Sequence, residues 1–182
     1  MTVEIPAMPN AHSHAFQRDL RGIGERTGRP DDDFWSWREA MYALARRLDP
    51  ESMRDVALRT YREMAAAGYG AVGEFHYVHH RPDGTPYDEP NEMAVALAET
   101  ARQVGLRIVL LPAAYHRGGE PRFREPSVDA FLTRVDALRA TGASSTTRSA
   151  RPPASIEPRS SSPSTHAAFS VQAASASRAL QP

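Results

Sequence analysis

The sequence predicts an α/β fold with a parallel sheet, built from about three consecutive strand–helix units. Two features point there. Short apolar segments alternate with longer stretches whose apolar residues recur at helical spacing, which is the order that builds βα units. Histidines and tyrosines then fall at the C-terminal ends of the expected strands, where functional side chains gather in βα barrels.

The first strand is expected over residues 3–11, with Pro6 and Pro9 marking a sheet edge or a strand end. His12 and His14 follow. Residues i and i+2 of a strand share a face, so two imidazoles there can reach one metal ion through neutral nitrogens. Residues 18–33 are polar and glycine-containing, and Asp31, Asp32 and Asp33 read as part of a solvated loop. Residues 34–44 read as a helix lying across a site, with Trp35 and Trp37 packing around it.

Asp49 and Pro50 form a helix start, an N-cap followed by a first-turn proline. Met53, Val56, Ala57, Tyr61 and Met64 follow at helical spacing, and Gly68 is the stop. Residues 71–77 form the second strand. Glu74 within it reads as a hydrogen-bonded barrel-interior residue rather than a catalytic acid. His76, His79 and His80 read as packing and supporting residues rather than a second metal site. After a turn-rich loop over 82–90, Pro90 opens a helix with Met93, Leu97, Ala101 and Val104 on one face and Gly105 at its end. Residues 107–115 are a continuous apolar run of the kind buried on both faces of a sheet. Ser127 caps the last helix, whose inward residues are expected to be Val128, Phe131, Leu132, Val135 and Leu138.

Composition narrows the function. A chain of 182 residues suffices for one domain with a core. The formal net charge is zero, which gives no reason to expect nucleic acid or an anionic membrane as a partner. There is no cysteine, hence no disulfide framework and no thiolate zinc site. Neither a basic, apolar leader nor a run of membrane-spanning length is present, so a cytoplasmic protein is expected. Residues 1–141 form the folded part. Residues 142–182 are rich in Ser, Ala, Thr, Arg and Pro without apolar periodicity, and are expected to be a disordered tail. Every basic residue is arginine, which suggests G+C-rich coding DNA, and a shifted reading frame in such DNA would give this tail.

Three separated motifs carry a family resemblance. They are Pro-Asn-Ala-His-Ser-His-Ala-Phe-Gln-Arg at 9–18, Phe-Trp-Ser-Trp-Arg-Glu-Ala-Met-Tyr at 34–42 and Gly-Glu-Phe-His-Tyr-Val-His-His at 73–80. Together they resemble the amidohydrolase superfamily and, within it, the formimidoylglutamate deiminases of histidine degradation. The resemblance covers residues 5–140. It implies a partial (β/α)8 TIM-like barrel, about its first three βα units, and one divalent metal, typically zinc. His12 and His14 would be metal ligands, and Gln17, Arg38 and Tyr77 would contact the substrate, N-formimino-L-glutamate. The implied reaction is its hydrolysis to N-formyl-L-glutamate and ammonia. The resemblance leaves room for a homodimer of the full-length parent.

Two other readings stand beside this one: a related deaminase acting on a heterocyclic base, and a non-catalytic remnant. Arg38 separates the first pair, because a dicarboxylate substrate calls for a cation and a neutral base does not. The family pattern also requires two later histidines and a strand-terminal aspartate that serves as general base. After His116 the only histidine is His166, and no aspartate follows Asp136, so no residue here takes those roles. Three units of eight would leave an open sheet edge. The chain alone is therefore expected to be poorly soluble or partly unfolded, to bind metal weakly and not to turn over.

Overall fold

A computed structural model describes residues 6–23 and 32–143. Three parallel strands lie in the order β1 (Met8–Ser13), β2 (Tyr69–His76) and β3 (Arg107–Pro112). The helices are α1 (Phe34–Arg46), α2 (Pro50–Ala66), α3 (Glu92–Val104) and α4 (Val128–Ala140). Each strand reaches its parallel neighbour through a helical crossover, the connection that parallel pairing demands. This is the layout of a partial (β/α)8 barrel. The disordered tail expected from residue 142 onward lies, beyond Ala143, outside the described residues.

Local chemistry sets the helix starts. Asp33 accepts from the Trp35 and Ser36 amides at 2.8 and 3.1 Å, and Ser36 Oγ accepts from the Asp33 amide at 3.0 Å. Asp49 and Ser52 repeat this reciprocal cap at the start of α2, both bonds at 2.8 Å. The Ser127 hydroxyl accepts from the Ala130 amide at 3.1 Å. Each such cap is worth about 1 kcal/mol. Gly105 closes α3 at φ 82°, a conformation costly for any residue with a Cβ. Asp33, expected within a solvated loop, instead starts a helix, and Asp31 lies outside the described residues.

The core lies between the sheet and α2 and α3. Met53, Val56, Ala57 and Tyr61 of α2 meet Met93, Ala94, Leu97 and Ala101 of α3, under Val72, Ile108 and Leu110 of the strands. Burying one such large apolar side chain stabilises by about 1.5–3 kcal/mol.

Four expectations about the strands and the last helix need correction. The first strand is paired over Met8–Ser13 rather than ending at Ala11, and Pro9 is accommodated because β1 is an edge of the described sheet. The third strand ends at Pro112, and Tyr115 instead forms an isolated bridge with Arg124. Nor is that strand buried on both faces. Ile108 and Leu110 turn to the helices, whereas Val109 and Leu111 on the other face are 56% and 39% exposed. In α4, Arg134 and Leu138 are buried while Val128 and Leu132 are exposed. That helix packs along the stripe through Arg134, because Glu125 and His79 hold the guanidinium inward.

Glu74 is hydrogen-bonded, as expected, but on the other side of the sheet. It shares the buried face of β2 with Val72 and His76, toward α2, and does not face the barrel interior. The pairing of β1 with β2 is irregular next to it. Asn10 pairs with Val72 and Ser13 with Glu74, so β1 carries one extra residue there, as in a β-bulge. Gly73 makes room for this excursion: a Cβ at that position would lie 2.6 Å from the Ala11 carbonyl oxygen.

Candidate metal centre and substrate-facing residues

His12 is the penultimate residue of β1 and His14 the residue after the strand. The bulged end of β1 brings their Nε2 atoms to 3.0 Å from each other. Two nitrogens bound tetrahedrally to one zinc ion, each at about 2.0–2.1 Å, sit about 3.3 Å apart, so the pair fits one metal ion with a small adjustment.

The second nitrogen of His14 fixes its tautomer. Nδ1 lies 3.0 Å from the Phe75 carbonyl oxygen, which can only accept, so Nδ1 carries the proton and Nε2 keeps its lone pair. Burial, together with the neighbouring His12, lowers the His14 pKa to about 4. The ring is therefore neutral near pH 7, the form a metal ligand needs. Without metal, His12 Nε2–H donates to His14 Nε2. Among the described residues, no three His, Cys, Asp or Glu side chains converge on one point. The described part of the chain thus offers two imidazoles and no further such ligand.

Gln17 and Tyr77 stand beside this pair and bond to each other: Gln17 Nε2 donates to the Tyr77 hydroxyl at 2.9 Å. Tyr77 is only 4% exposed, and its hydroxyl lies 3.7 Å from the Met41 sulfur. Burial pushes its phenol well above the ordinary value, so it stays protonated and remains a donor. Its ring touches that of His14, with centroids 5.3 Å apart, and continues to Phe123 at 5.0 Å. Phe123 in turn meets Tyr42 at 5.7 Å.

Arg38 sits at the far end of this aromatic wall. Its guanidinium lies 4.9 Å from the Tyr42 ring centroid and 5.2 Å from that of Trp35. Such stacking holds the plane and leaves the edges for a planar anion. Its Nε is buried with no hydrogen-bond partner, an unmet donor. The structure thus brings His12, His14, Gln17 and Tyr77 together and links Arg38 to them through aromatic contacts.

The other strand-end histidines form a separate, buried cluster, in which His76 Nε2 and His80 Nδ1 have no hydrogen-bond partner. Arg134 Nη1 donates to His79 Nδ1 at 3.0 Å, so His79 Nε2 carries the proton and donates to the Ala113 carbonyl at 2.8 Å. Glu125 binds Arg134 and lies 3.4 Å from His80 Nε2. Burial, with nearby Arg134, lowers the His76 pKa to about 3 and takes His79 well below its ordinary value, His76 itself adding to the latter. A cavity of about 850 Å³ opens beside His80, Glu125 and Arg134 under Pro86, Pro90 and Pro126, yet none of the five candidate site residues lines it. Cavity size does not mark the chemistry here.

Sequence reasoning missed the Phe75 carbonyl, because a backbone acceptor has no residue signature. It also missed the inward turn of Arg134, which reads as an ordinary helix arginine.

The sequence matches the model of the Amidohydrolase family over residues 3–157. Formimidoylglutamate deiminase of Pseudomonas aeruginosa is 45% identical over 145 residues, covering 75% of this chain and 32% of that protein. The crystal structure of an amidohydrolase from Brucella melitensis is similar with a TM-score of 0.70 and 42% identity, over 75% of this chain and 32% of that one. Atrazine chlorohydrolase of Arthrobacter aurescens, solved in complex with zinc, gives a TM-score of 0.59 at 21% identity. It covers 74% of this chain and 30% of that protein, and shows likeness of fold alone. The chain spans about a third of the length of these relatives.

Proposed function

We infer the function from one premise: this chain belongs to the amidohydrolase family. We propose that it forms the first-ligand and substrate-orienting part of a formimidoylglutamate deiminase. That enzyme hydrolyses N-formimino-L-glutamate to N-formyl-L-glutamate and ammonia, in histidine degradation in the cytoplasm. A single observation supports this most: His12 and His14 aim two Nε2 atoms at one point, with the His14 tautomer fixed by the Phe75 carbonyl. A divalent metal, zinc in this reading, would supply Lewis-acid polarisation and a lowered pKa for water when bound.

The other residues act on the substrate. Arg38, stacked and carrying an unmet Nε donor, takes one substrate carboxylate through paired hydrogen bonds. Gln17 and Tyr77 present neutral donors that orient the formimino end without adding charge. Tyr77, kept protonated by burial, also closes the floor of the site to water. The general base and the remaining metal ligands are assigned to no residue of this chain. A heterocyclic-base deaminase is disfavoured because a neutral ring gives Arg38 no anion to hold.

The test is a chimera in which this chain's residues 6–143 replace the matching part of the Pseudomonas enzyme. Ammonia release from N-formimino-L-glutamate, lost in His14→Ala and weakened in Arg38→Met, is the expected result. A folded, zinc-loaded chimera that deaminates a heterocyclic base and not formiminoglutamate would overturn the reading.

A further inference from the structure

We propose that Glu74 is a positioning residue for the His12–His14 pair: from the helix side of β2 it fixes the backbone turn that carries His14. This rests on the metal-centre reading above and deepens it.

Three consecutive β2 residues hold that turn from different sides. Gly73 leaves the space into which the Ala11 carbonyl bulges. Glu74 Oε1 accepts from the Ala15 amide at 2.6 Å, and Ser13 lies opposite Glu74 in register. The Phe75 carbonyl accepts from His14 Nδ1 at 3.0 Å. The residue before His14, its ring and the residue after it are therefore each tied to the Gly73–Phe75 segment.

Ala15 opens a 3-10 turn over Ala15–Leu20, and His14, the residue before it, gives that turn no side-chain cap. Glu74 supplies the acceptor from the neighbouring strand.

A structural explanation alone fits poorly. Glu74 is only 2% exposed, and none of the described residues forms an ion pair with it. Its Oε2 has no hydrogen-bond partner at ordinary distance, although the Ser13 and Tyr61 hydroxyls both interact with the carboxyl. An unpaired buried carboxyl is a poor stabiliser, and an apolar residue of similar volume would fill the same place. What such a residue cannot do is hold the Ala15 amide.

The test uses the 182-residue chain with Glu74→Gln, Glu74→Met and, as a control for lost stability, Leu110→Ala. Imidazole nitrogen NMR without metal reads the His14 tautomer, and calorimetric titration with zinc chloride reads affinity. Glu74→Gln keeps an acceptor, so the Nδ1–H tautomer stays and zinc affinity changes by less than about threefold. Glu74→Met averages the tautomers and weakens zinc binding by about tenfold or more, the usual cost of losing a ligand's support. Leu110→Ala lowers the melting temperature and leaves both readouts unchanged. Wild-type tautomer and affinity in Glu74→Met would overturn the proposal, as would the same changes in Leu110→Ala. If the wild-type chain binds no zinc but its His14 tautomer still responds to Glu74→Met, the metal-centre reading fails and the positioning role stands.

Discussion

The two histidine clusters sit at neighbouring strand ends and behave as opposites. At the end of β1, His12 is exposed and two ring nitrogens point at each other across 3.0 Å. Past the end of β2, His79 and His80 are buried: His79 bonds to Arg134 and a backbone carbonyl, and His80 Nε2 lies 3.4 Å from Glu125. A histidine whose nitrogens are spent on a guanidinium and a carbonyl has no lone pair for a metal. His14 keeps one on Nε2. The partners of each nitrogen therefore separate His14 from His79, whereas His76 Nε2 and His80 Nδ1 are buried without a hydrogen-bond partner.

Acidification should break the contrast most completely. The folded pKa values of His14, His76 and His79 are all depressed below the ordinary 6.5. As pH falls below about 6.5 the unfolded chain takes up protons that the folded chain refuses, so stability falls. Each ring contributes up to about 1.4 kcal/mol per pH unit. Glu74 acts with the opposite sign, because burial raises its pKa to about 7. It returns stability as pH falls from 7 to about 4.5, offsetting about one of the three rings. The expected outcome is unfolding by about pH 4, followed by circular dichroism; Glu74→Gln, neutral at every pH, should lose more stability than wild type between pH 7 and about 4.5.

Arg134→Met separates the clusters by stability. Leaving buried Glu125 uncompensated should cost about 3–5 kcal/mol in urea denaturation, with the zinc affinity of the remaining folded chain unchanged. A loss of zinc affinity would mean that the two clusters are coupled. His14→Ala is the converse change, expected to weaken zinc binding about a hundredfold, or about 2.8 kcal/mol by calorimetry. The smallest effect falls between the clusters. Tyr77→Phe leaves the ring contacts intact and frees Gln17 to bond water, so it should cost only about 1 kcal/mol in thermal melting.

Much of the fold is legible wherever a short-range signal decides it. Asp49 before Pro50, Ser127 before Val128 and Gly105 after α3 fix helix ends within a few residues of chain. The His-x-His spacing likewise places two imidazoles on one side of a strand end. Long-range choices are not legible. Whether Val109 is covered depends on what lies across the sheet, and which stripe of α4 turns inward depends on Glu125 and His79, the latter 55 residues away. Gln17 and Tyr77 both stand out in sequence, but their bond spans 60 residues and no local pattern encodes it.

The placement of tryptophan gives the molecule a built-in optical probe. Both tryptophans of the chain lie on α1, Trp35 under the Arg38 guanidinium and Trp37 packed at the edge of the core. No indole reports on the interior between the sheet and α2 and α3. Intrinsic emission will therefore follow the docking of one helix and any anion captured beside Arg38, while most of the interior stays dark. An emission melt that precedes the circular dichroism melt would time the release of α1 from the rest of the fold.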